Sequence, residues 1–230
     1  MNYLKSKALE YEYKANIFLA IIVLSSFFLG KFLPLNNPWL YTPLLFIWLI
    51  FVVILQYLSQ RAEKKQGDYL KGYNGENFLE DILKKLPNNY LYVKSIKLKY
   101  SNLDFLVISD NGIFGIENKN QNGKITYNSA DKQLSRNYYP FRSNYIKQVR
   151  GCCLEINRII KNKLNIDYFI VPVLVFSGLG VSIETPPKID GTDILSSEML
   201  SNFLIKKRDF SLDKMHQDNI YKLFSDLNKK

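Results

Sequence analysis

The sequence has few of the residues that build zinc sites, disulfides or nucleophilic catalytic centres. His216 is the only histidine among 230 residues. This argues against a histidine metal site and leaves carboxylate oxygens, which favour Mg²⁺ or Mn²⁺ over Zn²⁺. Cys152 and Cys153 are adjacent, so they suit neither a loop-closing disulfide nor a CxxC site and fit a reduced, cytosolic setting. The sequence also contains no internal repeat, no glycine-rich phosphate loop and no Ser/His/Asp or Cys/His nucleophile arrangement.

Charge is missing from most of the N-terminal quarter. Residues 15–30 and residues 32–60 contain no charged side chain, and about 20 apolar residues are enough for a helix to cross the hydrocarbon of a bilayer. We therefore predict two transmembrane spans, at about residues 15–33 and 38–58, joined by a tight turn at Pro34–Pro38. The alternatives are a cleavable signal peptide, although no A-x-A-like cleavage site follows the first run, and a buried helical pair of a soluble protein.

The charges that flank these spans predict their orientation. Three lysines precede the first span, and Arg61, Lys64 and Lys65 follow the second, whereas the turn between the spans offers only Lys31. Basic residues concentrate on the cytoplasmic side of membrane proteins. We therefore predict a multi-pass protein of the cell (inner or plasma) membrane, with both termini and the soluble region in the cytoplasm.

The soluble region is organised around Asn102–Lys124, which reads NLDFLVISDNGIFGIENKNQNGK. Two apolar runs flank an Asn-Gly pair at 111–112, which predicts a β-hairpin with those two residues as its loop. In that register Asp104 faces Lys119, and Glu117 lies on the same face of the hairpin because side chains alternate along a strand. These three side chains therefore meet at the open end of the hairpin.

Such a cluster has two interpretations. Two carboxylates and an ammonium group would be costly to bury alone, whereas a divalent metal ion and a phosphate would compensate all three charges. The simpler interpretation is a surface salt bridge at the end of the hairpin, and the hairpin by itself slightly favours that reading because such pairs are common. Both remain open at this level.

Several further motifs share an order and a spacing with this cluster. They are Gly72-x-x-Gly75-Glu76, then Asp104, Glu117-Asn118-Lys119, Asn120-x-x-Gly123-Lys124-Ile125 and Asn144-x-x-x-Gln148. Over about residues 67–177 this series resembles the NERD (nuclease-related) domain, which belongs to the restriction-endonuclease-like, PD-(D/E)XK superfamily. Two positions depart from the family pattern: Phe105 stands where His is common, and Tyr145 where Pro is usual.

The resemblance implies a fold and roles for individual residues. The fold is α/β, with a restriction-endonuclease-like mixed central sheet flanked by helices. Asp104 and Glu117 would bind Mg²⁺ (or Mn²⁺), Lys119 would be catalytic, and Glu76 and Gln148 would lie beside the metal. From the sequence alone, Glu76 reads as an acidic residue in the first turn of a helix that begins at the Gly72 motif, and Gln148 as a residue at the rim of the core.

A basic, tyrosine-rich segment follows the hairpin and reads as irregular or short-stranded. It is either a solvated loop or a surface for phosphates and exposed bases, and the chain's net charge of +10 suits nucleic acid. The candidate nucleic-acid-binding residues are Lys124, Lys132, Arg136, Arg142 and, in the next helix, Lys147, with Tyr127, Tyr138 and Tyr139 interleaved.

The chain then divides into three parts. Residues 1–66 form the transmembrane hairpin and linker, residues 67–180 the nuclease-like domain, and residues 181–230 a C-terminal helical extension that packs on it. The function this predicts is a membrane-anchored, cytoplasm-facing, metal-dependent nuclease that hydrolyses phosphodiester bonds in nucleic acid, with DNA as the first candidate substrate and RNA as the second. The alternative is a nucleic-acid-binding or scaffold module without useful hydrolysis, and a weaker one is a basic surface that binds anionic lipid. The bilayer is an expected partner, and a homo-oligomer is possible.

Overall fold

The computed structural model describes residues 3–32, 38–99, 101–208 and 210–228. The chain divides into two compact units, Met1–Asn74 and Gly75–Lys230. Residues 33–37, where most of the predicted turn between the two spans falls, lie outside the described residues.

The first unit consists of one long helix and most of a second. Helix α1 spans Tyr3–Phe32 and helix α2 spans Pro38–Leu83. By length and composition both helices are able to cross a membrane, and only 6% and 11% of their most apolar windows are buried. Both run beyond the predicted spans because the charged flanks are also helical. There the rings of Tyr11 and Tyr69 stack with centroids 5.7 Å apart.

Helix α2 corrects one prediction. The Gly72 motif does not open a helix, because α2 continues through it to Leu83 without a break. Glu76 therefore lies in the interior of a helix rather than in a first turn, and the interpretation that it complements a helix dipole is wrong. The charged residues 61–69 predict a helical extension of the second span, and α2 runs through them.

The described residues form ten strands and three further helices after α2. They are β1 (Leu91–Lys97), β2 (Asn102–Ser109), β3 (Gly112–Lys119), β4 (Lys124–Asn128), β5 (Gln133–Arg136), β6 (Tyr139–Pro140), α3 (Tyr145–Leu164), β7 (Ile170–Phe176), β8 (Ser182–Glu184), β9 (Lys188–Ile189), β10 (Thr192–Ser196), α4 (Ser197–Lys206) and α5 (Lys214–Leu227).

A mixed six-stranded sheet is the centre of the second unit. Its order is β1-β2-β3-β7-β10-β9. Strands β1, β2 and β3 form an antiparallel meander, and β3, β7 and β10 run parallel. All seven residues of β7 are buried, as the continuous apolar run of this segment predicts for a strand covered on both faces.

Helices cover both faces of this sheet. The apolar stripe of α3, from Val149 to Ile160, packs with α5 on one face. The end of α2 and helix α4 cover the other face through residues such as Leu79 and Leu200. This mixed α/β architecture, preceded by two long apolar helices, confirms the predicted fold class.

The hairpin of β2 and β3 has a different register from the predicted one. Its loop is residues 110–111, and Ser109 pairs with Gly112. Each β2 residue therefore faces a β3 residue two positions earlier than predicted. Side chains alternate with a period of two, so this shift keeps every side chain on its predicted face.

The remaining strands correct the outline of the C-terminal half. The basic segment after β3 is short-stranded rather than irregular, and it forms a second sheet in the order β6-β5-β4-β8. Residues 194–195 lie in β10, which is flanked on both sides, by β7 and by the two-residue strand β9. The sequence predicts a short edge strand at these residues, and the pairing of β10 on both sides contradicts this.

Candidate active site

Three predicted site residues lie together where β2 begins and β3 ends. Continuing the observed register one pair beyond Phe105 and Ile116 sets Asp104 opposite Glu117. Oδ2 of Asp104 accepts a hydrogen bond from the backbone N–H of Asn118, at 2.7 Å. This contact fixes the Asp104 carboxylate against the end of β3.

Glu117 is the hub of the cluster. Its Oε1 accepts hydrogen bonds from Nζ of Lys119, at 2.6 Å, and from Nε2 of Gln148, at 2.7 Å. Its Oε2 is buried and has no hydrogen-bond partner among the described residues, and the whole residue is only 3% exposed. Buried carboxylate oxygens are rarely left unpaired. We therefore expect Oε2 to bind a ligand from outside the chain.

The electrostatics of the cluster show an excess of negative charge. Burial, and then the charge of Glu117, raise the pKa of Asp104 to about 7. Burial also raises the pKa of Glu117, although Lys119 and Gln148 oppose the shift. Burial acts to lower the pKa of Lys119, but the ion pair with Glu117 outweighs it and the pKa is raised. One ammonium group therefore does not fully compensate the buried carboxylate of Glu117 and the half-buried one of Asp104.

The donor set fits a hard divalent cation. Asp104 and Oε2 of Glu117 offer carboxylate oxygens, and the main-chain carbonyl of Asn118 is a further candidate ligand. No group of three His, Cys, Asp or Glu side chains that could hold a metal occurs in the part of the chain that the structure describes. Mg²⁺ commonly binds through one or two carboxylates and keeps several waters, so two carboxylates suffice.

Glu76 lies near this cluster and belongs to a separate ion-pair network. Lys94 of β1 places its Nζ 2.7 Å from Oε2 of Glu80 and 4.0 Å from Oε2 of Glu76. The charge of Glu76 contributes to the raised pKa of Glu117, after burial. Glu76 is therefore close enough to act electrostatically on the cluster.

Close packing around residue 75 explains why a glycine precedes Glu76. A Cβ atom at this position would lie 2.8 Å from Cβ of Asn120 and 3.0 Å from Nδ2 of Asn118. Contacts this short do not occur in folded proteins without a shift of one partner. The missing side chain thus lets α2 approach the end of β3.

The sequence assigned no role in the site to two residues that the structure places there. Lys94 reads as an ordinary polar residue of an alternating strand, and only the tertiary fold brings it to Glu76. Tyr145 departs from the family pattern, and the centre of its ring lies 4.5 Å from Nζ of Lys119, within the range of a cation–π contact. Its position beside the last motif was the available signal.

The five candidate nucleic-acid-binding residues lie outside the carboxylate cluster. Nζ of Lys124 pairs with Glu184 at 2.6 Å, and Nη1 of Arg136 donates to Oε1 of Gln121 at 2.7 Å. Lys132, Arg142 and Lys147 are exposed. Arg136 is therefore tied directly to the loop that follows Lys119.

Comparison with known proteins agrees with the geometry. Residues 71–177 match the family model described as the nuclease-related domain, NERD. Comparison with curated proteins finds no match. The matched segment contains all five residues from Glu76 to Gln148 that were predicted to form the catalytic and metal site. Residues 71–177 of this chain are therefore a NERD, or nuclease-related, domain.

Proposed function

We propose that the protein is a membrane-anchored, cytoplasm-facing, metal-dependent nuclease that hydrolyses phosphodiester bonds in DNA or RNA. The observation that carries this proposal is the unpaired, buried Oε2 of Glu117 beside Asp104. Lys119 and Gln148 both use the other oxygen of Glu117. A carboxylate held in this way presents one fixed, negatively charged oxygen to a cation.

Asp104 and Glu117 would hold the cation in this mechanism. A bound Mg²⁺ or Mn²⁺ would lower the pKa of a water molecule and stabilise negative charge on the phosphate. Lys119, fixed by its ion pair, orients the attacking water or neutralises charge on the phosphate. The amide of Gln148 positions the water or a phosphate oxygen, and Glu76 accepts a proton or contributes to a second cation site.

Membrane anchoring is the second part of the proposal. Large apolar side chains cover the outside of both long helices, including Val23, Phe27, Phe46 and Ile50, each more than half exposed. Contiguous apolar surface of this size is rare on a soluble protein. Two membrane spans would place this apolar surface in the hydrocarbon of the bilayer. The basic flanks would then keep both termini in the cytoplasm.

A cleavage assay on the full chain in detergent tests the catalytic part. Single- and double-stranded DNA and RNA are incubated with Mg²⁺, Mn²⁺ or EDTA, and cleavage is expected only with metal. Asp104→Asn and Glu117→Gln should abolish it. The matched control is Asp167→Asn, because Asp167 is exposed and pairs with Lys161 instead. Full activity of Glu117→Gln would contradict the assignment, and binding without cleavage would favour the nucleic-acid-binding module.

A further inference from the structure

A strained turn carries an exposed aromatic ring in the hairpin that follows the candidate active-site strand. Arg136 of β5 pairs with Tyr139 of β6, which leaves Asn137 and Tyr138 as a two-residue loop. Both have positive φ, 48° and 69°, as a type I′ turn requires, and the residue pair that such turns prefer is Asn-Gly. Tyr138 thus occupies a position that normally belongs to glycine, at a cost in backbone strain.

Burial does not offset that strain. The side chains of Tyr138 and Tyr139 are 77% and 79% exposed. The neighbouring cation is Lys124, whose Nζ lies 5.6 Å from the centre of the Tyr138 ring. Two adjacent, exposed tyrosines therefore stand at the end of a hairpin with no role in the core.

Hydrogen bonds connect this hairpin to the active-site strand. The backbone N–H of Asn137 donates to the carbonyl of Lys124, and Oδ1 of Asn137 accepts from the N–H of Lys124, at 2.8 and 2.9 Å. Arg136 donates to the side chain of Gln121, whose own N–H donates to the carbonyl of Lys119 at 2.8 Å. The hairpin is thus anchored two to five residues beyond Lys119.

We propose that Tyr138 and Tyr139 stack on unpaired bases of the substrate, while Arg136 and Lys124 contact the adjoining phosphates. This rests on the proposed function and narrows its substrate to nucleic acid with a single-stranded segment next to the cleaved bond. Aromatic side chains interleaved with basic ones are how proteins hold single strands. The bases of an intact duplex are already stacked on each other and do not reach the rings.

Binding in EDTA tests this without cleavage. The full chain in detergent is titrated into fluorescein-labelled DNA of one sequence, as a single strand, a blunt duplex and a duplex with a single-stranded extension. Tyr138→Gly and Tyr139→Ala should each raise the Kd for the single strand and the extended duplex about five- to one-hundred-fold. Their affinity for the blunt duplex should change little.

Two features make the test specific. Tyr138→Gly should raise the melting temperature, because glycine suits the turn, so weaker binding could not be ascribed to misfolding. The control is Phe169→Ala: Phe169 is 59% exposed and precedes Ile170, which pairs with Ile113 at the end of β3 remote from Lys119. This variant should bind like the wild type.

The inference and the proposed function fail in different ways. Wild-type affinity of both tyrosine variants for the single strand, or equal wild-type affinity for single strand and blunt duplex, would overturn the inference. Metal-dependent cleavage could still be intact in either case. Loss of single-strand binding in the tyrosine variants would support the inference even if no substrate were cleaved with Mg²⁺, and only the nuclease assignment would then fail.

Discussion

Nε2 of Gln148 lies 2.7 Å from Oε1 of Glu117, and the other oxygen of that carboxylate has no hydrogen-bond partner among the described residues. Gln148 comes from α3 and Glu117 from β3, so the contact links a helix to the end of the central sheet. It also occupies Oε1, so the buried Oε2 is the oxygen of Glu117 that remains available to the proposed cation.

The first prediction concerns removal of the Glu117 charge. Glu117→Gln should abolish cleavage yet leave the metal-free protein as stable as the wild type, or slightly more stable, because the two carboxylates repel each other. Mg²⁺ should stabilise the wild type and not the variant. Thermal melts of the full chain with Mg²⁺ or EDTA measure both effects. A large loss of stability in EDTA would instead identify Glu117 as a structural partner of Lys119.

Removal of Lys119 should have the opposite effect on stability. Lys119→Met leaves the buried Glu117 and the half-buried Asp104 without a cation, and breaking a buried pair such as Lys119–Glu117 costs about 3 kcal/mol or more. Mg²⁺ should restore much of that stability, although cleavage stays low. Melts of Lys119→Met and of Lys161→Met, which removes an exposed ion pair, give the comparison. Equal melting temperatures of the two variants in EDTA would contradict the claim that Lys119 compensates the charges of the two carboxylates.

Stability of the metal-free protein should depend on pH through Asp104. Its pKa is raised from 3.8 to about 7 in the folded state, so the folded protein binds more protons than the unfolded chain between these values. The contribution to the free energy of unfolding is therefore most favourable below the unfolded pKa and is lost as pH rises to the folded one. Asp104→Asn should reduce this dependence, measured by urea melts between pH 5 and pH 8 in EDTA. The same slope in the variant would exclude Asp104 as its source.

The grouping of Asp104, Glu117 and Lys119 was predictable because it depends only on side-chain parity. The hairpin register was wrong by two residues on β3, and an even shift leaves faces unchanged. The register itself was not predictable. Asn111 lies in the loop with its Nδ2 donating to the hydroxyl of Tyr90, at 2.9 Å, and a contact 21 residues away in sequence leaves no local signal.

The surroundings of Glu76 show a second limit to what the sequence alone predicts. Gly72 and Gly75 suggested a boundary, since glycine disfavours a helix by about 1 kcal/mol. Tertiary packing overrode that preference and α2 runs through both. The contact between Lys94 and Glu76 joins β1 to α2. The hydrophobic periodicity of neither element predicts this contact. The resemblance of the motifs identified Glu76 as a site residue, whereas its contacts could be identified only from the tertiary structure.

The membrane topology makes a prediction independent of catalysis. The basic flanks of the two spans predict that both termini are cytoplasmic. A C-terminal fusion to an enzyme that is active only outside the cytoplasm should be inactive, and a fusion placed within residues 33–37 should be active. An active C-terminal fusion would reverse the orientation and would place the NERD domain away from cytoplasmic nucleic acid.

The last prediction separates a glycine that the site needs from one that it does not. Gly75→Ala places Cβ 2.8 Å from Cβ of Asn120, so α2 or the end of β3 must move. We expect a loss of stability of about 1–3 kcal/mol, as for other overpacked sites, and a fall in cleavage activity because Glu76 and Asn118 shift together. Gly151→Ala is the matched control: it lies in α3 with nothing within 4 Å of the added atom. There alanine should stabilise the helix by about 0.5–1 kcal/mol and leave activity unchanged. If both variants gain stability, the close approach of α2 to β3 is not what Gly75 provides.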